Sequence, residues 1–193
     1  MALERTITMS VEEYFELEEN NLDTRYEYLD GYVYMMSCGS ADHATISGNI
    51  HAILKSLLRG GSCRVYNSDM KVRVSERRYL HPDVVVSCDS RDRGTTDLIR
   101  SPRVVVEVLS PTTEARDRGR KLQCYLATPT IEEYLLVDFR SMRIEIYRKE
   151  QKKWIYDAFG ADDEVEFASL GVSFPVADAY EDVVFEKEKS TNI

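Results

Sequence analysis

Seven residues constrain the fold of this chain more than any others. From Arg103 to Leu109 it reads Arg-Val-Val-Val-Glu-Val-Leu, an almost unbroken apolar run of strand length, and such a run belongs in a sheet covered on both faces. A strand of that kind needs packed layers on either side, which predicts an α/β arrangement with this segment at its centre. The same run carries an anomaly. Glu107 stands between Val106 and Val108, where its carboxylate is desolvated at a large cost unless it is paired or bound to a metal.

The flanking segments agree with a layered fold. Ser10 followed by Glu13 has the spacing of a capping box and opens a short helix to Glu19. From Arg25 to Met36 the chain alternates around Asp30-Gly31, a hairpin signature. Ile46, Ile50, Ile53, Leu54 and Leu57 share one face of a helix that begins after Gly39 and stops at Gly60-Gly61. Strands are predicted at Arg64 to Tyr66, Met70 to Val74 and Tyr79 to Ser87, the last opening through Pro82. Ser90 to Ser101 reads as a loop. Thr113 to Ala127 is a helix burying Ala115, Leu122, Tyr125 and Leu126, and strands follow at Glu133 to Asp138, Arg143 to Arg148 and Trp154 to Phe159. The pattern is an α/β sandwich with a mixed central sheet flanked by helices.

The length of 193 residues fits one domain, with its core between about residues 10 and 175 and a polar tail at 186–193. No apolar stretch approaches a membrane span, and the start, MALERTITMS, lacks the apolar core of a signal peptide, which places the chain in the cytoplasm. Cys38, Cys63, Cys88 and Cys124 form no CxxC pair, so they are expected as free or buried thiols rather than a zinc site or a disulfide framework. No glycine-rich phosphate loop is present. The net charge is -9, yet Arg59 to Lys121 holds 14 Lys or Arg against 9 Asp or Glu. Arg73, Arg77, Arg78, Arg91, Arg93, Arg100 and Arg103 are therefore candidates for phosphate contacts, the alternative being an ordinary solvated surface.

Asp83 heads a second apolar run, Asp83-Val84-Val85-Val86. Two inward carboxylates on neighbouring strands would make a hard oxygen site suited to Mg²⁺ or Mn²⁺; pairing of each with an arginine is the alternative. Lys121, one position from buried Leu122, can run its stem along the core toward the same place, where an ammonium orients water or stabilises phosphate charge. The competing expectation is a surface pair with Asp117, worth about 0.2 to 0.5 kcal/mol.

Tyr26-Glu27-Tyr28-Leu29-Asp30-Gly31, His43, Pro82-Asp83, Val106-Glu107-Val108-Leu109-Ser110-Pro111, Asp117 and Lys121 occur in that order. This set resembles the restriction-endonuclease-like family called Uma-two, domain of unknown function 820, within the PD-(D/E)XK nucleases, from about Ser10 to about Pro175. The resemblance implies a restriction-endonuclease-like fold and cation-assisted phosphodiester hydrolysis, with Asp83 and Glu107 as acidic metal ligands. It departs from the superfamily pattern at Leu109, where a lysine is expected, and makes Lys121 the candidate replacement. Glu27 corresponds to an acid on an early element that completes the metal shell, the alternative being an exposed strand residue paired with Arg25 or a later lysine. His43 shares the inward face of Ile46 and Ile50, as a core histidine or a support for Glu27; His51 and His81 receive no role. The implied activity is a Mg²⁺-dependent deoxyribonuclease, with a homodimer the natural arrangement for cutting two strands. The alternatives are a silent nucleic-acid-binding or regulatory protein of the same fold, and an interaction module whose acids merely meet arginines.

Overall fold

A computed structural model describes residues 8–36, 39–94 and 98–185. The first seven residues, Cys38 and the tail 186–193 lie outside the described residues.

The architecture is mixed α/β with two main sheets. The central strand β8 (Pro102–Val108) lies between β6 (Val84–Ser87), antiparallel to it, and β9 (Glu133–Val137), parallel to it. β10 (Arg143–Glu150), β11 (Lys153–Gly160) and β3 (Arg64–Asn67) complete a six-stranded mixed sheet. The second sheet, five-stranded, contains β1 (Tyr26–Leu29), β2 (Tyr32–Met35), β4 (Lys71–Ser75), β5 (Arg78–Leu80) and β7 (Leu98–Ile99). One mixed central sheet was the sequence expectation; a second sheet packs on it.

Strand periodicity assigns the faces. Val104, Val106 and Val108 join one apolar cluster with Ile46, Ile50 and Leu54 of α2 (Ala41–Leu57). Val105 and Leu109 join another, with Leu29, Val72 and Leu80 of the second sheet. Alternation therefore turns Glu107 into the layer between the sheets. By the same rule Leu29 faces that layer while Tyr28 faces outward beneath Tyr14 of α1 (Val11–Glu19), so Glu27 points inward too. Full burial of Ile46, Ile50 and Leu54 contributes about 1.5–3 kcal/mol each, whereas Leu57, expected on the same face, is exposed.

Local chemistry fixes the ends. Ser10 and Glu13 form the reciprocal capping box expected of them. Asp30 and Gly31 both have positive φ, 53° and 100°, the backbone a two-residue hairpin turn requires.

Three expectations need correction, and one segment carries elements that the sequence reading left unassigned. Tyr79 to Ser87 is not one strand: β5 and β6 belong to different sheets, and the chain crosses between them at His81-Pro82-Asp83 because Pro82 cannot donate to a ladder. Ser90 to Ser101 is not wholly a loop, since Leu98–Ile99 adds a short strand parallel to β4. Beyond residue 160 lie β12 (Glu164–Phe167), β13 (Val172–Pro175) and α5 (Val176–Ala179), which cover the α2 face of the large sheet and whose brevity leaves little periodicity to read. Finally, Cys63 and Cys88 are bonded. The antiparallel register Arg64↔Ser87 sets the residues just beyond it side by side, a proximity that spacing along the chain does not reveal. Cys124 is a buried free thiol. Among the described residues no helix is long and apolar enough to cross a membrane.

Candidate active site

Asp83 and Glu107 meet because of register. Val84 pairs with Val106, so the preceding residue of β6 and the following residue of β8 stand opposite each other on the face that bears Val105. Asp83 Oδ2 accepts the Val108 amide at 2.7 Å, which anchors its carboxylate to the central strand. His43 reaches the same oxygen, with Nε2 at 3.3 Å. Its position follows from the start of α2, where the Ser40 hydroxyl accepts the His43 amide. Burial pulls the imidazole down, but the Asp83 carboxylate outweighs it and holds the group above its ordinary value. His43 thus supports Asp83, not Glu27 as the sequence suggested.

The third component arrives with the crossover between the parallel strands β8 and β9. It consists of α3 (Glu114–Arg116), a wide π turn (Asp117–Lys121) and α4 (Leu122–Ala127), where one regular helix was expected. In an α-helix, positions four apart drift by about 40° at each step. The wider turn takes back part of that drift, which brings Asp117, Lys121 and Tyr125 onto one face above Glu107. Tyr134 from β9 donates to the Asp117 carbonyl at 3.1 Å and holds the turn.

Lys121 Nζ lies 2.6 Å from Glu107 Oε1, 3.0 Å from Glu27 Oε1 and 3.3 Å from Asp117 Oδ1. The surface pair with Asp117 is thus one contact of three, and the lysine is buried. The Tyr125 hydroxyl donates to Glu107 Oε1 at 2.7 Å. Burial drives the Glu107 carboxyl well up, Lys121 opposes this, and the neighbouring acids add to it. Burial works against the Lys121 ammonium, but Glu107, Glu27 and Asp117 overcome it and hold the group strongly protonated. Asp117 is also raised by burial.

Glu27 is 3 % exposed, so the expectation of an exposed strand residue fails; Arg25 pairs with Asp69 instead. Besides Lys121, Glu27 accepts the His81 backbone amide at 3.2 Å and has Arg116 at 3.7 Å. All four residues singled out in the sequence, Glu27, Asp83, Glu107 and Lys121, line one cavity of ≈ 730 Å³. None of the seven arginines proposed for phosphate contacts lines it; Arg78 pairs with Asp30, Arg91 with Asp89, Arg103 with Glu132. Arg116 does line it, as do His43 and Asp117.

Four carboxylates thus surround the cavity floor against Lys121 and Arg116. An excess of hard anionic oxygen in a desolvated place fits a divalent cation. Among the described residues, no group of three Asp, Glu, His or Cys side chains forms a ready-made cage. Mg²⁺ is commonly held by one or two carboxylates, with waters and substrate oxygens completing its shell. Asp83 and Glu107, brought opposite each other by the strand register, are the residues that could hold such a cation.

Sequence reasoning gave Tyr125 burial but no role, although its spacing of four from Lys121 was a usable signal. No sequence signal marked Arg116.

Comparison with known proteins finds relatives along most of the chain. A protein of Synechocystis sp. named "Uncharacterized protein slr1290" is 41% identical over 179 residues, covering 92% of this chain and 94% of its own. A second protein from that organism, "Uncharacterized protein sll1609", is 26% identical over 89% of this chain and 99% of its own. The crystal structure of "a putative nuclease belonging to DUF820" from Anabaena variabilis superposes with a TM-score of 0.73 at 16% identity, covering 90% of this chain and 98% of that one; it shares the fold. The sequence model of the family described as "Uma2: Putative restriction endonuclease" matches residues 11–177, and the chain belongs to that family.

Proposed function

We propose that this protein is a divalent-cation-dependent endonuclease that hydrolyses phosphodiester bonds of DNA. The observation that carries the reading is the convergence of Asp83 and Glu107, from paired strands, with the buried ammonium of Lys121 at the floor of one cavity. Asp83 and Glu107, with Glu27 beside them, would hold Mg²⁺ or Mn²⁺. When bound, such a cation supplies Lewis-acid polarisation of a phosphoryl oxygen and a nucleophilic water at neutral pH.

The chain's own residues do the rest. Asp83 is fixed by the Val108 amide and by His43, so its free oxygen has a defined direction. Glu107 is fixed by Tyr125 and Lys121. Lys121 presents a permanent positive charge, placed to orient the attacking water or to stabilise charge that develops on the phosphate. Leu109 stands where the superfamily has its lysine, and the relocated ammonium reaches Glu107 from the following crossover instead.

One observation favours a second reading. The Lys121 ammonium is already engaged by three carboxylates, an arrangement that also suits a silent protein that binds nucleic acid without cutting it. Incubation with single- and double-stranded DNA in Mg²⁺, Mn²⁺ or chelator separates the two. Cleavage that requires the cation and vanishes in Asp83→Asn and Glu107→Gln is expected, together with a rise in Tm on adding cation that both variants lose. Wild-type protein that binds DNA and leaves it intact under every condition establishes the second reading.

A further inference from the structure

Arg116 stands apart from the other arginines of the crossover and the nearby hairpin. Arg78 grips Asp30 through Nε and Nη2; Arg118 holds both oxygens of Glu145; Arg120 is spent on Asp30 and the Leu29 carbonyl; Arg140 holds Glu114. Each has an acceptor within hydrogen-bond reach. Among the described residues the Arg116 guanidinium has none: its nearest carboxylate oxygen, Glu27 Oε2, is 3.7 Å away.

It is nevertheless held. The guanidinium carbon lies 4.2 Å from the centre of the Tyr34 ring, a cation–π contact that holds the group against the ring face without using its N–H donors. The side chain is 32% exposed and lines the cavity together with Asp83 and Glu107. A preoriented planar cation with unused donors at the mouth of an acidic cavity calls for an anion that presents two oxygens side by side. A phosphodiester does so, and it needs such a partner here, because the carboxylates below would otherwise repel it.

We propose that Arg116, held over the Tyr34 ring, is the phosphate clamp of this site: it grips the non-bridging oxygens of a DNA backbone phosphate and holds the strand over Asp83 and Glu107. This rests on the nuclease reading and adds to it the residue that binds the strand.

The test measures binding of short fluorescent single-stranded and duplex DNA with Ca²⁺ in place of Mg²⁺, across a salt series, alongside Mn²⁺ titration. Arg116→Gln is expected to weaken DNA binding about 10- to 100-fold, the loss of one charge-assisted contact. It should also reduce the slope of log affinity against log salt by about one, with Mn²⁺ affinity unchanged. Arg116→Lys keeps the charge, so the slope should be retained while affinity falls, because a lysine lacks the fork. Tyr34→Leu should weaken binding through loss of the platform, again with the slope retained. Wild-type DNA affinity and salt slope in Arg116→Gln overturn the clamp and leave the nuclease reading standing. Wild-type protein that neither binds Mn²⁺ nor cleaves DNA overturns that reading, and the clamp with it.

Discussion

Lys121 Nζ lies 2.6 Å from Glu107 Oε1, so a permanent cation of the chain occupies the neighbourhood in which a divalent cation would be held. A divalent cation held there would compete with it for the same oxygen. The ammonium offsets the buried acids, and its contacts to Glu27 and Asp117 would remain to hold it were Glu107 to bind a metal.

Lys121→Met therefore carries three expected outcomes. Removing the cation from three buried carboxylates should lower stability of the metal-free protein by about 3–5 kcal/mol, seen in denaturant unfolding. Added Mn²⁺ should then raise Tm by more than it does in wild type, since nothing contends for Glu107. Under single-turnover conditions with saturating metal, cleavage should fall by about 10² to 10³. A wild-type rate in the variant would refute a role for Lys121 in the chemistry.

Tyr125→Phe isolates the support of Glu107. The ring stays, packed 4.9 Å from Tyr134, while the hydrogen bond to Glu107 Oε1 is lost. Outer-shell losses of this kind cost about 10- to 100-fold in metal affinity or activity. Isothermal titration with Mn²⁺ should show the weakening, and an affinity equal to wild type would mean that Lys121 alone orients the carboxylate.

Acid stability should depend on Glu145. Two hydrogen bonds from Arg118, with Arg143 at 3.3 Å, hold its carboxyl below the ordinary value of 4.5, against the opposing effect of partial burial. A depressed folded value means stability that is complete above about 4.5 and lost as pH falls through the folded value. Unfolding free energy of wild type should therefore drop below pH 4.5 more steeply than that of Glu145→Gln. Parallel curves for the two proteins would show that this pairing adds nothing.

Local patterning decided much of this protein. The apolar run around Glu107 fixes a doubly covered strand, the spacing of Ile46, Ile50 and Leu54 fixes a helix face, and Asp30-Gly31 fixes a turn, because each signal arises from neighbours within a few residues. The same logic made Asp83, Glu107 and Lys121 legible as charges beside apolar residues, whereas Glu27 was singled out only by the family resemblance. Tertiary structure decided what periodicity cannot express. Whether Tyr79 to Ser87 stays in one sheet or changes sheets at Pro82 depends on which strands it pairs with. The Cys63–Cys88 bond depends on the register of β3 against β6. The alignment of Asp117, Lys121 and Tyr125 depends on a wide turn held by Tyr134 from another strand. Arg116 differs from its neighbours only in having Tyr34 beneath it and no carboxylate within hydrogen-bond reach among the described residues. Each of these is set by a partner distant in sequence, and pairing between distant segments leaves no period in the chain to read.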